Sequence, residues 1–295
     1  MTGEMLIGIE EILTARRPDM VVVYGDTNST LASALAGVKL HIPVCHIEAG
    51  GRIGSIANPE EVNRICTDHI SSLLMCCTKS SADFLRREGL VSNVHVVGDT
   101  MYDAFLYYGA EIVGSVQHKK LVGLGGETVR VPPRYYYLTC HRPENSESDL
   151  PLTEILSAME EMHAPTIYPV HRRNRDRVLR ITQRLGVINI ILAEPVGYLT
   201  SLALVKSATK VVTDSGGLQR EAFFAGVPCV TIFELVIWPE TMVDNQNQLA
   251  KPDRTDILNK LSAVEERDEQ YLPFGDGNAG QKIVSLITEY LDGGR

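Results

Sequence analysis

The sequence predicts an α/β chain of two doubly wound units with parallel sheets, and three observations carry that expectation. Its short apolar runs are continuous rather than alternating, as strands buried on both faces require. Each run leads into a helix-compatible stretch, so strands and helices alternate along the chain. The alternation fades over 109–134 and resumes at 135, which separates two series. At 295 residues the chain is long enough for two cores.

The elements follow in order. Met5, Leu6, Ile9, Ile12 and Leu13 recur at helical spacing and give an opening amphipathic helix that Pro18 ends. The run 20–24 reads as a strand, 28–40 as a helix and 42–47 as a strand. Pro59 suits the first turn of a helix reaching about 72. Strand 73–77, helix 80–88, strand 94–97 and helix 102–108 complete the first series. Leu124-Gly125-Gly126 and Pro132-Pro133 mark the stretch 109–134 as a linker. In the second series strands fall at 135–139, 166–170, 188–192, 210–213 and 229–232, with helices between them. Helices at 255–266 and 280–291 close the chain, and no internal repeat or low-complexity tract is visible.

Composition narrows the function. Apolar content of 44% is that of an ordinary globular chain, and no run reaches the roughly 18 apolar residues of a membrane span. The N-terminus is acidic and amphipathic, unlike a signal peptide, so a cytoplasmic location is expected. A net charge of −9 argues against nucleic acid as the main partner. The six cysteines show no CxxC spacing, so neither a zinc site nor a disulfide framework is expected. All six are expected as buried thiols.

The most informative stretch is 213–222, Thr213-Asp214-Ser215-Gly216-Gly217 followed by a helical run. Backbone N–H groups at a helix start, unobstructed at Gly216 and Gly217, form an anion site. Glu221, four residues past Gly217, is placed to hold sugar hydroxyls. A tight-packing role for the two glycines is the alternative. Further polar residues follow the other strands: Asp26 after 20–24, Glu48 after 42–47, His141 after 135–139, and His171-Arg172-Arg173 after 166–170. Glu60 and Glu61 open the helix at Pro59, with Arg64 one turn on. Each has a bland counterpart, a helix cap for Asp26 or a dipole partner for Glu60. Glu48 resists it, because a carboxylate leaving a buried strand needs a partner. Ligands of open α/β sheets bind at strand C-termini, where these residues gather.

Gly25-Asp26-Thr27, His46-Ile47-Glu48-Ala49-Gly50, Pro59-Glu60-Glu61-Val62-Asn63-Arg64, His141-Arg142-Pro143-Glu144-Asn145, the stretch 213–222 and Pro273-Phe274-Gly275-Asp276-Gly277 occur in an order and spacing with a known parallel. From about 5 to 283 the chain resembles the non-hydrolysing UDP-N-acetylglucosamine 2-epimerase family. The resemblance implies a glycosyltransferase-B-type fold, two Rossmann-like domains facing a cleft. It places them at 1–117 and 118–278, with a helix in 279–295 packing back on the first. It implies interconversion of UDP-N-acetylglucosamine and UDP-N-acetylmannosamine by a cytoplasmic homodimer with no redox cofactor. UDP is eliminated across C1–C2 to give 2-acetamidoglucal and then re-added.

By motif, Asp26, Glu48 and Glu60 are the implied acid/base groups, and His141 lies near the diphosphate. Arg64 is an implied substrate contact, Ser215, Gly216 and Gly217 hold phosphate, Glu221 takes the ribose, and Val196 pairs with the base through its backbone. His171 matches a histidine of a second, regulatory substrate site in some members. Against the family pattern, the first domain lacks its N-terminal β-α segments, with a Gly-Thr-Arg-Pro-Glu-type loop that serves the diphosphate. Gly51 stands where leucine is usual, in a slightly short loop. Trp238 stands for a ligand-contacting arginine, and Ser201 for an aromatic against uracil. Two other readings fit the same residues: a catalytically impaired nucleotide-sugar-binding protein, and a hydrolysing relative that releases N-acetylmannosamine and UDP.

Overall fold

The computed structural model describes residues 1–112, 120–264, 268 and 270–293. In chain order its elements begin with α1 (Thr2–Arg16), β1 (Val21–Tyr24), α2 (Asn28–Lys39), β2 (Val44–Ile47), α3 (Pro59–Ile70) and β3 (Leu73–Cys76). Then come α4 (Lys79–Arg87), β4 (Val94–Val96), α5 (Thr100–Ile112), β5 (Lys120–Val122), β6 (Thr128–Arg130) and β7 (Tyr136–Thr139). Next are α6 (Pro143–Ser146), α7 (Asp149–Glu160), β8 (Thr166–Pro169), α8 (Arg175–Leu185), β9 (Ile190–Ala193) and α9 (Tyr198–Ser207). The chain closes with β10 (Val211–Thr213), α10 (Gly216–Ala225), β11 (Cys229–Ile232), β12 (Asn247–Ala250), α11 (Arg254–Ser262) and α12 (Ala279–Gly293). Among the described residues no helix is long and apolar enough to cross a membrane.

The chain divides into two compact units, one of Met1–Ala104 with Tyr271–Arg295 and one of Phe105–Gln270. The boundary read from sequence at 117 lies outside the described residues; the division itself falls within α5. The boundary read at 278 moves to 270, because the segment before α12 is stitched to the β4–α5 turn. Asp99 N–H donates to the Phe274 carbonyl at 2.9 Å. The Asp103 carboxylate takes the N–H groups of Ala279 (3.1 Å) and Gly280 (2.7 Å), satisfying donors that open α12.

The first unit is a parallel sheet in the order β1-β2-β3-β4. Alternate residues of β2 and β3 point to opposite faces. Cys45, Ile47, Leu73 and Met75 pack with Val97 and Ile283, so α12 covers that face. Ala49, Leu74 and Cys76 pack with Ala82 and Leu85 of α4 on the other. In α1 the inward stripe is Leu6, Ile9 and Leu13; Ile12, expected on it, is exposed.

The second unit has six parallel strands in the order β12-β11-β10-β7-β8-β9. Strand order reverses between β7 and β10, a topological switch point. Leu138, Tyr168, Val212, Val230 and Ile232 of its strands pack against Leu152, Ile155, Leu156 and Met159 of α7. Four buried tyrosines satisfy their hydroxyls there, Tyr135 on the Leu204 carbonyl at 2.7 Å and Tyr168 on that of Cys140 at 3.2 Å among them.

Two elements depart from the sequence expectation. The expected linker carries an antiparallel hairpin, β5–β6, whose Gly123 forms a bridge to Ala193 beyond the edge strand β9. Strand β12 is not among the strands expected from the sequence, since Asn247 and Gln248 deny it a continuous apolar run. Asn247 is instead buried beside Thr231 and Gln219, at 2.9 and 3.1 Å. The end of the helix expected over 255–266 lies outside the described residues; α11 ends at Ser262. Cys66 is exposed, contrary to expectation, whereas burial pushes the Cys45, Cys76 and Cys229 thiols up to about 12.

Candidate active site

In the second unit the two strands at the switch point run in register, with the Thr139 and Thr213 hydroxyls 2.6 Å apart. Just beyond them stand His141 and Asp214. The fully buried Asp214 carboxylate accepts the backbone N–H of His141 at 2.9 Å and of Arg142 at 2.8 Å. It also meets His141 Nδ1 at 3.0 Å. Burial alone would raise this carboxyl; the His141 side chain and the two backbone donors outweigh it, leaving it lowered. The His141 side chain is 46% exposed, and imidazole geometry puts Nε2 on the far side of the ring from Asp214. Arg173 donates to the His141 carbonyl at 2.7 Å, while His171 caps the following turn by accepting from Arg173 N–H.

Ser215 is the N-cap of α10, its hydroxyl accepting from Leu218 N–H at 3.3 Å. Gly216 and Gly217 are the first helical residues. A Cβ at Gly216 would meet only Ile237 Cδ1, at 3.8 Å, which is ordinary contact. Packing therefore does not demand glycine at 216, and the close-approach explanation gains there.

Glu221 is buried further along α10 beside the Tyr198 hydroxyl. Burial raises its carboxyl, and the Tyr198 hydrogen bond with the Arg220 charge only partly offsets that. The Tyr198 phenol is pushed up to about 12 by burial and by Glu221. Tyr198 packs edge-on against Tyr108 at 6.0 Å. Ser201, where an aromatic was expected, bonds the Tyr137 hydroxyl at 2.9 Å, so the ring in this helix turn is Tyr198. Val196 lies between β9 and α9 in a loop rooted by Glu194, whose N–H donates to Val122 at 2.7 Å and whose carboxylate takes Arg175 at 2.7 Å. Trp238 is buried with the Arg220 guanidinium stacked 4.2 Å from its ring centre. A cation thus lies against position 238, contributed by α10.

In the first unit β1 and β2 end side by side, Tyr24 opposite Ile47, so Asp26 and Glu48 leave neighbouring strands at one edge. Glu48 has φ 72, a left-handed conformation that is strained for a non-glycine residue. Its N–H and that of Ala49 both donate to the Met75 carbonyl at 3.0 Å. At Gly50 (φ 81) a Cβ would lie 2.3 Å from the Ser81 carbonyl oxygen, so only glycine lets this turn approach α4. Asn58 caps α3 and places Glu60 in its first turn. Glu61 turns inward to accept Ile53 and Gly54 N–H at 3.0 and 2.9 Å. Arg64 spends its donors on two carboxylates, Asp26 at 2.6 Å and Glu61 at 2.9 Å.

A buried chain of polar groups ties these loops together. His46 Nε2 donates to the Gly25 carbonyl at 2.8 Å, an acceptor only. His46 Nδ1 meets Asp68 at 2.6 Å, and Asp68 also takes Gly50 N–H at 3.1 Å and Arg52 at 2.7 Å. Arg52 then forks onto Glu88 with two bonds of 2.7 Å. Asp214, His46, Asp68 and Tyr198 were missed as site residues. For Asp214 a signal existed, a carboxylate directly after a buried strand; the His46–Asp68 pair spans 22 residues and leaves none.

A parallel α/β architecture with an anion-ready helix start at a switch point is that of the glycosyltransferase-B-like class. A family model described as UDP-N-acetylglucosamine 2-epimerase matches residues 1–288. A UDP-N-acetylglucosamine 2-epimerase homolog of Methanococcus maripaludis is 41% identical, across 97% of this chain and 80% of its own. UDP-2,3-diacetamido-2,3-dideoxy-D-glucuronate 2-epimerase of Pseudomonas aeruginosa is 37% identical, across 98% and 80%. The crystal structure of Methanocaldococcus jannaschii UDP-GlcNAc 2-epimerase in complex with UDP-GlcNAc and UDP is 36% identical. It superposes with a TM-score of 0.82 over 98% of this chain and 80% of that one. The chain belongs to the UDP-N-acetylglucosamine 2-epimerase family.

Proposed function

We propose that this chain inverts C2 of a UDP-linked 2-acetamido sugar, interconverting UDP-N-acetylglucosamine and UDP-N-acetylmannosamine, as a cytoplasmic homodimer. Family membership over nearly the whole chain supports the epimerase class. The observation that carries the assignment is the switch point, where His141, Asp214 and the open start of α10 meet.

The chemistry sets the roles. The C2 proton is weakly acidic, so inversion proceeds by losing UDP across C1–C2 and adding it back with the proton delivered to the other face. A carboxylate takes the C2 proton, the C2–H pair becomes the C1=C2 bond, and the C1–O pair leaves on the diphosphate. Two faces call for more than one proton-transfer group, and Asp26, Glu48 and Glu60 are the candidates. Arg64 orients Asp26 through its ion pair. The open turn at Ser215, Gly216 and Gly217 receives the diphosphate, and His141 stabilises its departing charge. Glu221 takes the ribose hydroxyls and the Val196 backbone the uracil.

Incubation with UDP-N-acetylglucosamine in deuterated water tests this. Deuterium at C2 in both epimers is expected. Free N-acetylmannosamine would indicate hydrolysis, and absence of exchange with retained UDP binding would reduce the protein to a binding module; either result overturns the proposal. A second reading, a modified UDP-sugar as substrate, is favoured by the likeness to the Pseudomonas aeruginosa enzyme. It predicts a higher kcat/KM on a UDP-2,3-diacetamido sugar in the same experiment.

A further inference from the structure

We infer that Asp214 is a positioning residue for the reaction: it fixes the Nδ1–H form of His141 and directs Nε2 at the diphosphate oxygen that leaves C1. The inference deepens the proposed function and rests on it for the identity of the leaving group. Three observations carry it. The Asp214 carboxylate lies 3.0 Å from Nδ1 of the imidazole. Asp214 is wholly buried, whereas nearly half of the His141 side chain is exposed, so the pair has one inner and one outer end. The carboxylate is itself immobilised by the His141 and Arg142 backbone N–H groups, so carboxylate and ring are held from one loop.

Asp214 also directly precedes Ser215, the cap of the helix whose start would receive the diphosphate. A carboxylate accepts and cannot donate, so the hydrogen on Nδ1 is retained. During elimination the C1–O electron pair moves onto the diphosphate oxygen. The ring, protonated on both nitrogens, donates Nε2–H to that oxygen, and Asp214 balances the ring's charge. On re-addition the same hydrogen bond weakens as the C1–O bond forms.

Asp214→Asn tests the assignment. Its amide nitrogen would face Nδ1 and force that nitrogen to accept. We expect kcat for C2 exchange to fall about 10²-fold, with the UDP dissociation constant within threefold of the unmodified protein. The ¹⁵N signature of a protonated Nδ1 in the UDP complex should be lost. In a His141→Gln background the further loss should be under twofold, since Asp214 acts through the ring. Should the Asn variant fail to fold, the signature in the unmodified protein decides: an unprotonated Nδ1 overturns the assignment, and so does full additivity in the double variant. Absence of C2 exchange in the unmodified protein would instead overturn the proposed reaction, and the Nδ1 signature with bound UDP would still report on the pair.

Discussion

Three residues, Glu48, Glu221 and Asp214, carry backbone strain or burial that bears on the proposed reaction. Glu48 occupies the left-handed region at a cost of about 1–2 kcal/mol, which the Met75 carbonyl helps to sustain by accepting from Glu48 and Ala49 N–H. Glu48→Gln should abolish deuterium exchange at C2 and leave the melting temperature unchanged, because the backbone strain stays. Glu48→Gly should be equally inactive yet as stable or more so, by up to about 1 kcal/mol, since glycine adopts φ 72 freely. Exchange surviving in Glu48→Gln would remove Glu48 from the reaction. Glu221 and Asp214 are perturbed in opposite directions. Asp214 is held below the usual carboxylate range, so its stabilisation is present above the unfolded value and disappears as pH falls through the lower folded value. Glu221 is held above that range, so its burial weighs on the fold at neutral pH and is relieved as pH falls through the raised value. In its proposed role at the ribose hydroxyls, Glu221 accepts in its charged form. UDP affinity measured by calorimetry should therefore drop with acidification starting above pH 4.5, and Glu221→Gln should flatten that dependence.

At the scale of elements, the loops after β1 and β2 are set by buried groups outside the proposed acid/base set. Asp68 on α3 holds the His46 imidazole, Gly50 N–H and Arg52 together. Asp68→Ala would strip the buried His46 imidazole and the Gly50 N–H of their carboxylate and leave Arg52 paired with Glu88, a loss of about 3–5 kcal/mol. Chemical denaturation should register it as a fall in midpoint, and a shift under 1 kcal/mol would mean the network contributes little. This network shows where the sequence stops being legible. Strands 20–24, 42–47 and 73–77 were readable because continuous apolar runs have one structural use. Glu48 was readable as a candidate because a carboxylate after such a run demands a partner, but its positive φ left no trace. The partnership of His46 with Asp68 depends on which strands become neighbours, which local pattern does not encode. Strand β12 escaped for a related reason: Asn247 is polar by sequence and buried only because Thr231 and Gln219 meet it. The ring of Tyr198 stands one turn before Ser201, the position the family pattern points to, so the pattern does not single it out.

At the scale of the molecule, the polar groups of the proposed reaction are distributed over two parallel sheets. The second carries the switch point and the open helix start, and the first carries the carboxylates at its strand ends. The first sheet is also completed from both ends of the chain, since α12 packs Ile283 against Cys45, Ile47, Leu73 and Met75. That arrangement bears on how the polypeptide matures on the ribosome. An amino-terminal lobe usually folds while the remainder is still being translated. Here the face of β2 and β3 that Ile283 covers stays bare until α12 has been synthesised, whereas the unit of residues 105–270 has all its strands and helices before then. The unit of residues 105–270 can thus complete its core first, and the sheet that precedes it in the chain is sealed only once α12 clears the exit tunnel.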